Sequence, residues 1–522
     1  MNKIVSRLKN VYSFVCLSYG YRNLLFLFLF PVFFVLHGYN ENFDIIPFSV
    51  ILSLLIKYFI ITFAIIVVNL VWFKSSEKAF LYSFFLLLLY FLFGRLYDTL
   101  EDLFAGSMVY SYKVLLPSLA IISLLIWWWI HKRKKTFGKA TRFISLLLIV
   151  FCVLEIVMFA YYLATGKQEE NDLSGDFKIE NNKPDPCSND HLPDIYFIVF
   201  DGYTSSKLLK EEFQFDNSGL DSLLIKNNFF ISSSSKSNYN FTAFSLASTF
   251  GLDHLKKGAD TGIIQPANVL QAVNTLKENE MIRFLKTKGY RFKNYGRFEM
   301  DEMPLKDDSF FDYFYYDLID KQTLYARVKR DLGWHLAAKN MFTGKFRAPG
   351  SFKKRREEYL QRNESNYQQL LKELSSDNDS PKFVYAHLML PHEPFYLKAD
   401  GSLTDDYGVI FDTLNKKKGY IEQVLYSNKL LEKLIDASAS DGSRERVIII
   451  EGDHGYRFYD QANLLKEFPN LNVYYFSDHD YSMLYDGISP VNSFRVILNK
   501  YFCYELGMVK DTSFYLKKPG QY

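Results

Sequence analysis

Two adjacent ionisable residues, Asp453 and His454, close the stretch RVIIIEGDHG at 446–455. A carboxylate beside an imidazole suits a divalent cation, and the apolar run before the pair reads as a buried strand that delivers it to a sheet edge. Two other strand-like runs end in the same chemistry. Asp194–Phe200, DIYFIVF, runs into Asp201, and KFVYAHLML at 382–390 runs into Pro391-His392-Glu393-Pro394. In open parallel α/β sheets the reactive crevice lies beyond the carboxyl ends of the strands, so three strands aim ligands at one place. A fourth element is SNYNFTAFSLASTF at 237–250, where polar residues able to cap precede Thr242 and a helical apolar pattern follows it. Free N–H groups and the dipole at such a helix start favour a bound phosphate or sulfate. Taken alone, Thr242 reads first as a helix cap; its companions give it chemical weight. A threonine hydroxyl becomes a nucleophile at neutral pH when a metal lowers the cost of removing its proton. Asp201, Thr242, Asp453 and His454 are therefore the candidate metal ligands. Two carboxylates, one imidazole and one alkoxide suit Zn²⁺ or Mn²⁺, with Mg²⁺ or Ca²⁺ also open and a second metal undecided.

Other side chains are candidates for substrate. His392, in the loop after the second of those strands, is the first of them. His387, five residues earlier, is either a substrate contact or a group standing behind the ligands. His479, about 25 residues after His454, is either part of the phosphate pocket or a solvated loop histidine. Arg457 and Arg495 can match phosphate oxygens in bidentate fashion, or serve only as surface ion pairs.

Strand-like and helix-like segments alternate through the polar part of the chain, and these must position the site. Strands are expected at 195–200, 290–295, 383–390, 447–450 and 473–476, and helices at 218–226, 243–249, 281–288, 351–374 and 421–436. The alternation predicts a parallel sheet covered by helices on both faces. A length of 522 residues calls for at least two structural units. The near-neutral formal charge of +3 hides a division in composition, and with no basic excess nucleic acid is not an expected partner.

Up to about residue 164 the chain is dominated by Leu, Ile, Phe and Val. Apolar runs occupy 24–36, 45–72, 80–93, 114–130 and 143–164. A span needs about 20 apolar residues. The first and third runs are short by that measure and read as spans or as buried or re-entrant segments. Loop charge favours five spans: Lys3, Arg7, Lys9 and Arg22 precede the first, Glu41 and Asp44 follow it, then Lys74 and Lys78, then Asp98, Glu101 and Asp102, and finally a basic cluster from Lys132 to Arg142. That alternation matches the positive-inside rule with a cytoplasmic N-terminus and an extracytoplasmic remainder. The expected division is a membrane domain at 1–165, a polar linker at 166–193 and an outer domain at 194–522. Lys57 is near enough to one face to snorkel, and Glu155 sits mid-span, as a functional group or as a glutamic acid bonded to a neighbouring helix. Cys187 and Cys503 would share an oxidising compartment, which permits a disulfide without requiring one.

The strand ending in Asp201, the helix-start Thr242, the PHEP around His392 and Gly452-Asp453-His454-Gly455 together resemble the alkaline phosphatase/sulfatase superfamily. Five spans before such a domain are similar to the phosphoethanolamine transferases and lipoteichoic acid synthases of bacterial envelopes, and Thr242-Ala243-Phe244-Ser245-Leu246 is similar to the threonine-nucleophile segment of the former. The resemblance implies an α/β/α sandwich of alkaline phosphatase/sulfatase type carried by an α-helical membrane domain, in the bacterial inner membrane. It implies Thr242 as nucleophile, with Asp201, Asp453 and His454 as co-ligands of the metal and His392 to contact the substrate phosphate or protonate the leaving group. Asp201 stands where those relatives have glutamate. The Cys-x-Pro-Ser-Arg signature of true sulfatases does not occur here. The implied reaction moves a phosphoethanolamine or phosphoglycerol headgroup from a membrane lipid to a glycan or lipid acceptor. The alternatives are a phosphoric or sulfuric ester hydrolase and a non-catalytic envelope-assembly protein.

Overall fold

A computed structural model describes residues 19–43, 45–104, 107–134, 136–165, 173–182, 184, 192–256, 264, 266–305, 309–338, 350–376, 380–404, 416–438, 444–457 and 461–517. The chain divides into two units. One holds residues up to Asn171 together with Phe311–Lys345; the other holds Asp172–Phe310 and Phe346–Tyr522. The sequence reading kept 194–522 in one domain, and the segment Phe311–Lys345 departs from it.

In the first unit, a 3-10 stretch Tyr19–Phe28 continues into α1, Leu29–Glu41, followed by α2 (Phe48–Phe73), α3 (Ser76–Leu103), α4 (Tyr112–Lys132) and α5 (Gly138–Thr165). Among the described residues five helices are long and apolar enough to cross a membrane, with 19 residues in the first (Asn23–Glu41) and 28 in the third. Side chains such as Ile60, Phe63, Leu146 and Val157 are more than half exposed, as lipid-facing residues must be. The two ionisable residues noted within the apolar runs, Glu155 and Lys57, are paired. Glu155 accepts from Asn40 Nδ2 at 2.8 Å and lies 2.9 Å from His37 Nδ1. Lys57 Nζ meets Asp320 Oδ2 at 2.8 Å, so it is held by a partner instead of reaching for an interface.

The second unit is built on a six-stranded sheet: β1 Asp194–Phe200, β2 Phe230–Ile231, β3 Arg291–Tyr295, β4 Lys382–Leu388, β5 Arg446–Glu451 and β6 Asn472–Phe476. Spatial order is β2-β6-β5-β1-β4-β3. The central strands β1, β4 and β5 are buried along their whole length, which explains why they read as near-continuous apolar runs. β1 pairs in parallel with both β4 and β5, with Val199 opposite His387 on one side and Glu451 on the other. The sheet is mixed where the sequence predicted it parallel, because β6 runs antiparallel to β5. Among the remaining helices are α6 (Ser206–Phe213), α7 (Ser218–Lys226), α8 (Thr242–Gly251), α9 (Pro266–Lys277), α10 (Glu280–Thr287), α11 (Ser309–Asp320), α12 (Leu324–Ala338), α13 (Gly350–Leu374), α14 (Lys416–Ser438) and α15 (Pro490–Phe502). Alternation along β1 assigns the faces. Tyr196, Ile198 and Phe200 pack in the cluster that holds α13 and α14 residues such as Leu370 and Leu434. Phe197 points the other way and meets Phe250 of α8 and Phe494 of α15, ring centroids 5.0 and 5.2 Å apart.

The stretch expected as linker contributes buried side chains to the second unit, Leu173 and Ile179, which leave only 1% and 4% of their surface in solvent. Cys503 is disulfide-bonded, and Cys187 lies outside the described residues.

Candidate active site

Parallel pairing puts the carboxyl ends of β1, β4 and β5 side by side, and each delivers its ionisable residues there. Asp201 follows β1 directly, its amide extending the ladder to Leu388 O at 2.9 Å. Gly202 then turns the chain with φ +73, which a side chain resists, and donates its N–H to Asp453 Oδ1 at 3.0 Å. After β5, Gly452 passes so close to Tyr203 that a Cβ would lie 2.2 Å from its carbonyl oxygen. Only glycine lets the chain reach the position from which Asp453 and His454 face β1.

Hydrogen bonds fix which atoms are presented. His454 Nδ1 lies 2.6 Å from Gly455 O, so the proton sits there and Nε2 carries the free lone pair. That Nε2 is 3.4 Å from Asp201 Oδ1 and 3.5 Å from Asp453 Oδ2. All three atoms are buried, and none has a hydrogen-bond partner among the described residues. Three acceptors packed together with no donor between them are costly unless a cation joins them. A tetrahedral ion with bonds of about 2.0–2.2 Å sets its ligands about 3.3–3.6 Å apart, which these separations match. The donor set fits a divalent metal.

His392 stands at the edge of this group, its Nε2 3.8 Å from Asp201 Oδ1. Its Nδ1 lies 2.5 Å from Glu393 O, and its Nε2 faces the Arg457 guanidinium. Asp201, His392 and His454 thus form one cluster with metal-binding spacing. The loop bearing His392 is clamped by Gln423 of α14, whose amide donates to His392 O at 2.9 Å and accepts from Tyr396 N at 3.0 Å. Gln423 gave no signal in sequence, because a helical glutamine reads as a surface residue. His392, Glu393, Phe395, Tyr420, Tyr456 and Arg457 line a small cleft that also reaches His454.

Thr242 is the first residue of α8 and half-buried, with Phe241 at the cap position. Its side chain is near enough to the Asp453 carboxyl to pull that group's proton affinity down. It therefore stands beside the three donor atoms and at the amide end of a helix.

Electrostatics separate the two carboxyls. Burial would raise Asp201, but His392, His387 and His454 around it hold it well below the usual carboxylate range. Burial and then the Asp201 charge push Asp453 up to about 6, against the pull of His387, Thr242 and the Gly202 amide. Burial and the Arg457 charge lower His454 to about 3, and burial lowers His392 to about 4, so both imidazoles are neutral at pH 7.

Two expected substrate contacts are placed elsewhere. His387 is fully buried behind Asp201, 3.2 Å from Oδ2, with its other nitrogen 2.9 Å from Tyr385 Oη. With Asp201 and Asp453 it makes a second group with metal-binding spacing. His479 follows β6, and because β6 is antiparallel its end lies with Arg446 at the opposite edge of the sheet. There it is exposed and packs on Tyr475. Arg495 is also structural, donating to Leu252 O and Gly507 O at 2.7 and 2.6 Å. Two charged residues went unnoticed in sequence. Arg297, two residues beyond β3, lies near enough to Asp201 for its charge to be felt there; a basic residue just past a strand end was the available signal. Glu451 is fully buried with no hydrogen-bond partner on either oxygen among the described residues, and burial followed by the Asp453 charge raises its carboxyl far above the ordinary value.

The model of the Sulfatase family matches residues 208–496. The chain belongs to the sulfatase family. Thr242, His392, Asp453 and His454 fall inside the matched segment, while Asp201 joins them through the sheet alone. The architecture of this family member is five apolar helices followed by an α/β sulfatase-like domain with a mixed sheet, and it is an enzyme. No curated protein matches it by sequence. Among solved structures, the integral membrane lipooligosaccharide phosphoethanolamine transferase A from Neisseria meningitidis is 12% identical with a TM-score of 0.39, covering 95% of this chain and 96% of that one. The C-terminal periplasmic domain of EptC from Escherichia coli, in complex with Zn, is 12% identical with a TM-score of 0.38, covering 66% and 90%. The phosphonate monoester hydrolase of Agrobacterium radiobacter is 10% identical with a TM-score of 0.34, covering 63% and 78%. Likenesses of this size establish nothing about the reaction.

Proposed function

We propose that this sulfatase-family enzyme transfers a phospho-headgroup, of phosphoethanolamine or phosphoglycerol type, from a membrane lipid to a glycan or lipid acceptor. Transfer runs through a phospho-Thr242 enzyme. The observation that carries the reading is the convergence of three buried, partnerless donor atoms, Asp201 Oδ1, Asp453 Oδ2 and His454 Nε2, beside a threonine at a helix start. Those three residues, with Thr242, would hold the divalent ion, Zn²⁺ or Mn²⁺ by their chemistry. Bound there, the ion lowers the proton affinity of the Thr242 hydroxyl and offsets charge on the phosphoryl oxygens.

This chain's own residues do the rest. The α8 amides and Arg457 orient the phosphoryl group. Thr242 Oγ bonds to phosphorus as the bond to the lipid's glyceryl oxygen breaks, and that oxygen leaves with a proton as diacylglycerol. In the second half an acceptor hydroxyl bonds to phosphorus and the Thr242 Oγ–P bond breaks. His392, neutral at pH 7, is suited to take the acceptor's proton. In this reading the catalytic unit is extracytoplasmic and the N-terminus cytoplasmic, in a bacterial inner membrane.

The family match also favours a second reading, hydrolysis at the same site, with water in place of the acceptor. Thr242→Ala tests the shared core of both readings. It is expected to abolish release of diacylglycerol from a fluorescent phosphatidylethanolamine while metal content stays at the wild-type level; normal turnover would remove Thr242 as nucleophile. Free phosphoethanolamine formed without any acceptor would favour hydrolysis.

A further inference from the structure

The segment least expected in the first unit is the helical hairpin made by α11 and α12, which sequence order assigns to the outer domain. Its contacts fix how deep it goes. At the turn, Asp320 pairs with Lys57 at 2.8 Å, and Lys57 stands nine residues inside α2 from Phe48. Gln322 O accepts the N–H of Gly94 at 2.8 Å, nine residues before the end of α3. Ile319 packs against Gly38, whose neighbour His37 meets Glu155 ten residues before the end of α5. Further along α12, Arg327 pairs with Asp98, and Asp331 accepts from Tyr112, the first residue of α4. At 1.5 Å per residue, each of these rulers puts the turn about 13–15 Å below the helix ends. That is close to half of a hydrocarbon core about 30 Å thick.

The surface of α2 at those levels decides what surrounds the hairpin. Phe48, Leu52, Ile56 and Ile60 expose 69%, 55%, 53% and 64% of their surface, so this helix is lipid-facing from its first residue down past Lys57. We infer that the hairpin is a re-entrant membrane element, entering the leaflet from the side where the fifth span ends and holding its turn inside the hydrocarbon. The partner of its outer surface is lipid. Its charges fit that environment, because Asp320, Arg327 and Asp331 each meet a partner on a span or on the hairpin itself. A close backbone approach is built in at Gly94, where a Cβ would lie 2.8 Å from the Gln322 Cα.

Tyr325 gives the test its edge. It is 55% exposed in the protein, one residue past the start of α12, with Lys57 Nζ 5.6 Å from its ring. In full-length protein carrying Cys16→Ser and Cys152→Ser, reconstituted into phosphatidylethanolamine and phosphatidylglycerol vesicles, Tyr325→Cys is to be probed with a membrane-impermeant maleimide. Lys226→Cys, exposed on α7, is the water-facing control. The expected result is labelling of Lys226→Cys and loss of labelling at Tyr325→Cys until detergent denaturation restores it. Labelling of Tyr325→Cys at the control's rate in intact vesicles would overturn the inference. Docking is read separately by the pair Gly38→Cys and Ile319→Cys, where a Cβ built at Gly38 lies 3.4 Å from the Ile319 Cβ, near the separation a disulfide spans. A cross-link formed in membranes supports the hairpin's seat; none under an oxidant that cross-links an exposed control pair would overturn it.

Discussion

Replacing Asp201 with asparagine tests whether the three facing donor atoms are a metal site. The amide keeps the volume of the carboxyl and can still bond His387, which is 3.2 Å away, but it removes the charge from an atom 3.4 Å from His454 Nε2. Outer partners of a metal ligand typically contribute about 10–100-fold to metal affinity, so a coordinating carboxylate sets a floor of about 100-fold. At about 1.4 kcal/mol per decade that is roughly 2.8 kcal/mol. Loss of the Asp201 charge also removes the second largest cause, after burial, of the raised Asp453 carboxyl. Asp453 then becomes the better ligand, a partial offset that keeps the figure near the floor. Tyr385→Phe gives the graded comparison. It removes the hydroxyl behind His387, 2.9 Å from Nδ1, and should cost about tenfold, the lower end for an outer partner. Calorimetric titration of Zn²⁺ into the chelator-treated full-length protein measures both. The reasoning fails if Asp201→Asn binds Zn²⁺ within about threefold of wild type, a difference below 1 kcal/mol. It fails equally if Tyr385→Phe is the weaker binder.

Arg457→Ala should raise KM for the lipid donor by about 10–100-fold, the loss of a charge-assisted hydrogen bond, with metal affinity unchanged. His479→Ala should leave turnover within about twofold, as for a surface substitution remote from the site; a larger loss would show that the opposite sheet edge takes part in the reaction. Asp480 is held at about 2 by Lys500 and by Ser482. Its folded value lies below the ordinary carboxyl value of about 3.9, so its stabilisation is present above that pH and is lost as pH falls towards 2. The difference in Tm between wild type and Lys500→Met, clear at neutral pH, should therefore close on acidification across that window.

Much of the fold was legible because period and burial coincide. β1, β4 and β5 are buried on both faces, so their sequences are unbroken apolar runs, and their ends announce Asp201, the His392 loop and Asp453-His454 without any tertiary information. The helices expected at 218–226 and 351–374 match Ser218–Lys226 and Gly350–Leu374, where patterning is strong. β2 escaped notice because two residues carry no period. The direction of β6 was not in its sequence at all: an edge-side strand has the same alternation whichever way it runs, and only pairing with β5 sends His479 away from the site.

Sequence by itself marked Asp201, Asp453 and His454 and the strands that carry them, because ionisable side chains at the ends of apolar runs have few places to go but a sheet edge. It also marked the five apolar runs that form helices long and apolar enough to cross a membrane, since apolar content is written residue by residue. Tertiary structure alone decided which histidine faces the cleft and which stands behind Asp201, and it alone set the hairpin of α11 and α12 against Lys57 and Gly94. Those are questions of distance between residues remote in the chain. Local propensity carries no information about them, and the pairing of strands and the matching of buried charges settle them.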